Sequence, residues 1–326
     1  MMKPGAILRG WLCTALLLIF VQAPLGAATP PAATTNAEPE SLIFYTHDRV
    51  VFSLGFSPGG DMLAAASLDG AVSIWGLQGL LHVKARLHTR MVFAVAFSPD
   101  GKRLASASGD GTIAIFDRDG TLQKRLTGHS TNIAALAWAP DGNMIASGSE
   151  DKRVIIHNTD GSIIKTLSGQ MQSITALEFT PDGRQLVVSE RGQHVVVYDT
   201  RTWKSDKLIK AHTDVIWDVA VAPDGKSFAT ASKDRTIGIH RLDGTRLAEI
   251  GGFSGEIWTL AWSPDGTKIA CGLRTGELVI ADVATKSIVR TLRSHETGIP
   301  AIAWSPTGRI VATGSRDGTI RMWRGL

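Results

Sequence analysis

Apolar residues in the stretch 132–167 come in short runs separated by turn residues: Asn132 to Trp138, then Pro140-Asp141-Gly142, Asn143 to Ser149, Glu150-Asp151, Arg153 to His157, and Ser162 to Leu167. Each apolar stretch is four to seven residues long and rich in Ile, Val, Ala and Trp. Runs of this length bounded by turn residues predict strands joined by turns and not helices. Pro-Asp-Gly supplies the fixed φ and the glycine that a tight turn demands.

This unit repeats. Pro-x-Gly turns recur at Pro58, Pro99, Pro140, Pro181, Pro223, Pro264 and Pro306, at intervals of 41, 41, 41, 42, 41 and 42 residues. Self-similarity at such a period marks a stacked repeat architecture. A length of 326 residues would allow two domains, but no linker separates any pair of copies between His47 and Trp323. Four antiparallel strands per copy, repeated radially, predict an all-β fold, a seven-bladed β-propeller. The seventh copy stops at Trp323-Arg324-Gly325-Leu326 with no room for its outermost strand. Leu42-Ile43-Phe44-Tyr45, at the right offset before His47, is expected to supply it, closing the ring with the N-terminal strand and covering open edges.

Composition adds the compartment. Lys3 and Arg9 precede an apolar run from Trp11 to Val21, followed by Gly26-Ala27-Ala28. A basic start, a short apolar core and small residues predict a signal peptide over 1–28, cut after Ala27 or Ala28. The alternative is an uncleaved membrane anchor, for which the run is shorter than the ~20 residues a span needs. Residues 29–40 read as a flexible tether and 41–326 as the propeller. Export is expected, to the bacterial periplasm if the near-uniform Pro-Asp-Gly turns indicate the source, with no membrane span in the mature chain. Cleavage removes two cations and no acid, taking the net charge from +4 to +2. So small a charge argues against nucleic acid as a partner. Only Cys271 would remain, so no intrachain disulfide is available.

Gly128-His129 opens one copy, while Leu87-His88, Ala211-His212 and Ser294-His295 keep the histidine alone. Trp75 and Trp323 stand near the ends of their copies, with Phe116-Asp117 and Tyr198-Asp199 in the same phase elsewhere. These residues resemble the WD40-repeat family, whose blades carry Gly-His near the start and Trp-Asp near the end. The resemblance covers essentially residues 42 to 326. It implies a rigid platform, here a monomeric ring, for protein–protein interaction.

An aspartate follows five phased histidines by 22 residues, pairing His47 with Asp69, His88 with Asp110, His129 with Asp151, His212 with Asp234 and His295 with Asp317. In the remaining copies Gln170 faces Gly192 and Phe253 faces Thr275. Joint loss suits a contacting pair, because stranding one buried partner costs about 1–3 kcal/mol. With Ser106, Ser147 or Thr230 such a pair could form a hydrolytic triad. Five equivalent copies favour a structural tie instead, since an active site is one distinctive constellation, and the resemblance implies the same network. His157 and His240 occupy the tryptophan phase and are expected to pack. Neither a zinc-type cluster nor a phosphate loop is visible in the sequence. The reading is therefore a non-enzymatic scaffold without cofactor or metal. Its alternative is a small-ligand sensor or enzyme using the central channel, for which Glu178, Glu256 and Glu277 are too scattered in phase.

The resemblance also implies that residues three and five after each histidine, and the residue before each aspartate, face a common top surface. The fifth position gives Phe52, Phe93, Trp217 and Trp258. The position before the aspartate gives Leu68, Gly109, Glu150, Arg191, Lys233, Arg274 and Arg316. Aromatic and Arg side chains are enriched at interface hot spots. Phe52, Phe93, Arg191, Trp217, Lys233, Trp258, Arg274 and Arg316 are thus the expected contacts for a protein or peptide partner that is acidic or aromatic. Blades four and six, which lack the His–Asp tie, are expected to have more adaptable loops.

Overall fold

The short apolar runs become strands within a residue of their predicted limits. In the third blade these are Ile133–Trp138, Met144–Ser149, Val154–Asn158 and Ile163–Leu167, paired in that order. The computed structural model describes residues 41–45 and 47–326; the signal peptide expected over 1–28 and the tether expected over 29–40 lie outside the described residues. Among the described residues there are seven four-stranded antiparallel sheets and no helix. It follows that no helix there is long and apolar enough to cross a membrane.

Six sheets are built from consecutive strands, spanning 51–85, 92–126, 133–167, 174–210, 216–250 and 257–293. The seventh combines Ala301–Trp304, Ile310–Gly314 and Thr319–Arg324 with Ser41–Tyr45 on its outer edge. Ser41 lies opposite Trp323 and Tyr45 opposite Thr319, so the N-terminal strand closes the ring. Phe44 is buried and its ring stacks on Trp75 of the first blade, centroids 5.5 Å apart.

Apolar side chains of neighbouring blades interleave, as with Leu167 and Val154 of the third blade against Leu186 and Val188 of the fourth. Tryptophans near the ends of inner strands tie one blade to the one before: the indole N–H of Trp138 donates to the Ala96 carbonyl at 3.2 Å, and that of Trp262 to the Ala220 carbonyl at 3.1 Å. The Pro-x-Gly turns interlock in the same direction. Gly142 has a φ of +72°, and a Cβ built there would lie 3.7 Å from the Pro99 ring of the preceding blade. The same contact closes the circle at Gly60, against Pro306.

Candidate functional site

Each phased histidine sits in the loop entering a blade, on the face opposite the Pro-x-Gly turns, and reaches across to the turn after the second strand. His212 Nδ1 is 3.0 Å from Asp234, and His212 Nε2 is 2.7 Å from the Thr230 hydroxyl. The matching His–Asp distances are 2.8 Å for His47–Asp69, 3.2 Å for His88–Asp110, 2.9 Å for His129–Asp151 and 3.2 Å for His295–Asp317. Ser106, Ser147 and Thr313 hold the hydroxyl position in their blades. In the first blade Ser73 does so, while also accepting the Trp75 indole N–H at 2.8 Å.

Burial holds all five imidazoles below their usual pKa, with the adjacent aspartate opposing it. At Asp110, Asp151 and Asp234 burial works against ionisation. Donors from Thr112, Arg153 and Thr236, loop N–H groups and the histidines outweigh it and bring these carboxyls to about 2. A neutral histidine therefore donates to an ionised aspartate. The Ser and Thr hydroxyls are fully buried beneath the imidazoles, at 0% exposure for Ser106, Ser147 and Thr230, so no substrate can reach them. As catalytic triads these groups are closed.

Blades four and six differ from the expectation of looser bracing, because each brings in a glutamate. In blade four the buried Glu190 accepts the N–H groups of Met171 and Gln172, both at 3.2 Å, as the aspartates do elsewhere. The Tyr198 hydroxyl donates to the Gln170 carboxamide at 2.9 Å. In blade six Phe253 fills the imidazole's place, and Glu277 accepts the Thr275 hydroxyl at 2.8 Å and that of Ser254. Neither glutamate occupies the aspartate's phase. His157 and His240 are buried, as tryptophan-position residues should be, but each keeps a buried Nδ1 without a partner among the described residues.

The inner strands share an irregularity that shapes the channel mouth. Register shifts skip Phe52, Phe93, Ala134, Thr175, Trp217 and Trp258, one per blade from the first to the sixth. Such a bulge leaves one residue unpaired and re-aims its side chain. All six line the central cavity of about 590 Å³, joined by Pro300 of blade seven. A collar results, aromatic or Pro-lined from blade five through seven to two, and small at blades three and four. Phe52 and Phe93 pack at 5.1 Å between centroids.

Above this collar a second cavity, of about 660 Å³, gathers Phe52, Trp217, Trp258, Lys233, Arg274 and Arg316. Arg191 lies over the Trp217 ring at 5.4 Å, and Arg316 over Trp258 at 5.6 Å. Lys233 has Asp214 at 3.5 Å and Arg274 has Glu256 at 3.4 Å. Glu256 also accepts the Trp258 indole N–H at 3.2 Å. The Trp217 indole nitrogen is buried with no partner among the described residues.

Below the collar the channel wall carries two acids on adjacent inner strands, of which sequence reasoning named only Glu178. Glu178 accepts the Val221 N–H of the next blade at 2.7 Å, and Asp218 accepts the Leu260 N–H at 3.0 Å and the Thr259 hydroxyl at 2.9 Å. Burial pushes Glu178 up to about 7, with the Asp218 charge adding to it, and pushes Asp218 up to about 6. Their signal was an acid inside an otherwise apolar inner strand. Cys271, the one thiol among the described residues, is buried and its pKa is raised, chiefly by that burial.

Comparison with known proteins covers every blade. The WD domain, G-beta repeat family matches residues 39–76 and 286–324. The WDR19 first beta-propeller family matches 92–252, and the anaphase-promoting complex subunit 4 WD40 domain matches 222–304. The protein transport protein sec13 of Emericella nidulans is 30% identical over 79 residues, 22% of this chain and 26% of that protein. The chain thus matches about a quarter of that relative's length. Seven phased blades, a His–Asp tie in five of them and three propeller families that tile the ring lead to one assignment: the chain belongs to the WD40-repeat proteins.

Proposed function

We propose that this chain is an exported, non-catalytic scaffold that holds a protein partner on its collar face. WD40 propellers generally serve as protein-binding scaffolds. The observation that carries the choice of face is the cavity lined by Trp217, Trp258 and Phe52 with Lys233, Arg274 and Arg316 around it. Large aromatics and guanidinium groups beside a concave apolar surface are what interface hot spots use. The cationic rim favours an acidic partner. Support for export comes from Lys3, Arg9 and the apolar run after them. Mass spectrometry of the exported protein should find Ala28 or Thr29 as its first residue.

The deciding experiment is affinity capture from the exported fraction with the native protein and with Trp217→Ala/Arg274→Glu. The double variant should fold and lose the partner. Unchanged capture would move the site elsewhere. Glu178 and Asp218 in the channel wall favour a second reading, a small ligand entering the channel. That reading predicts that Glu178→Gln/Asp218→Asn, and not the collar variant, abolishes binding.

A further inference from the structure

The four cations of the collar rim are not equivalent. Lys233 and Arg274 are matched by Asp214 and Glu256. Arg191 and Arg316 are exposed and have no carboxylate within ion-pair distance among the described residues; each guanidinium lies over an indole instead. A guanidinium stacked on a ring keeps its edge N–H groups free to take a carboxylate in the plane. Between the two stacks is the cavity with Trp217, Trp258 and Phe52 in its walls and the Arg274–Glu256 pair also lining it. The Trp217 indole N–H adds a buried donor with no acceptor among the described residues, a group that native folds rarely leave unsatisfied.

We infer that the collar takes a segment of a partner protein in which an aromatic or aliphatic side chain enters the cavity beside Trp217 and Trp258 and acidic residues on either side pair with Arg191 and Arg316. This deepens, and rests on, the proposed role of the collar face. Charge complementarity selects the occupant. A basic segment would meet two unmatched guanidinium groups, and a purely apolar one would desolvate them without a partner. A single-stranded nucleic acid would stack on the aromatics but needs a continuous basic track for its backbone. Asp214 and Glu256 interrupt that track between Arg191 and Arg316.

Fluorescence polarisation with short labelled peptides tests this. The probe carries Asp-Glu-Phe-Glu-Asp at its centre; controls replace Phe by Gly or every acid by Lys, and a further control is an oligothymidylate. Only the first probe should bind well, more weakly as salt rises. Arg191→Ala and Arg316→Ala should each weaken it by about tenfold or more, and Lys233→Ala and Arg274→Ala, whose charges Asp214 and Glu256 already offset, by less than about threefold. Circular dichroism and melting should show all four variants folded, since these side chains are exposed. Equal binding of the Gly or Lys peptide, preference for the oligonucleotide, no binding by any probe, or equal losses from all four variants would each overturn the inference. If peptides bind without acid preference and Trp217→Ala abolishes that binding, the ligand class fails and the collar reading stands. Should peptide binding ignore both Trp217→Ala and the four cations, the collar reading fails as well.

Discussion

The His–Asp tie works because the imidazole stays neutral and the aspartate ionised, so that one ring bridges a carboxylate and a buried hydroxyl. Asp234→Ala strands His212 Nδ1 and the Thr213 N–H, which donates to Asp234 at 3.1 Å. The expected loss is about 2 kcal/mol by urea denaturation. A loss below about 0.5 kcal/mol would show the pair to be incidental. The channel acids give the opposite pH dependence to the histidines. Glu178 and Asp218 titrate higher folded, at about 7 and 6, than their ordinary 4.5 and 3.8. Their contribution to stability is complete below the ordinary values and is lost as pH rises through about 6 to 7. The histidines are depressed, His240 to about 4, so their contribution is lost as pH falls below 6.5. Glu178→Gln should therefore flatten the loss of melting temperature between about pH 4.5 and 7 while leaving the slope above about pH 7 unchanged. Superimposable profiles would contradict the assignment.

Strands and turns were the most legible elements. Pro and Gly recur because each turn's glycine packs on the preceding blade's proline, as Gly142 does on Pro99, and local chemistry and the inter-blade contact ask for the same residues. Offset alone located the closing strand, since an outer strand must precede each histidine loop. Deleting residues 41–46 removes the ladder along Thr319–Arg324 and the Phe44 side chain, whose burial alone is worth about 2 kcal/mol. A sharply lower melting temperature is expected; an unchanged one would mean that the ring closes without its latch. The inner-strand bulges were not legible. A one-residue shift in pairing leaves no mark on a run such as Ile216-Trp217-Asp218-Val219, which could be read as ordinary alternation with a polar interruption.

Across the whole molecule, two faces divide the work. The Pro-x-Gly face receives the chain at Ser41 and interlocks the blades, whereas the His-loop face holds the collar, the cavity and the unmatched arginines. Asymmetry among near-identical blades is concentrated in the arc from the fourth to the seventh, where Arg191, Trp217, Trp258 and Arg316 stand. A rigid ring suits such a surface, because side chains held by bulged inner strands lose little freedom when a partner arrives.

By itself the sequence determined the number of blades, the turns, the latch and the pairing of five histidines with five aspartates. Each of these is written in periodicity, and a ruler of about 41 residues suffices to read it. Tertiary structure alone decided that Glu190 and Glu277 replace the missing ties, that Asp218 joins Glu178 in the channel, and which two of four rim cations lack a carboxylate. These depend on where side chains fall after a bulge, or on loops meeting out of repeat phase, and periodicity carries no information about either.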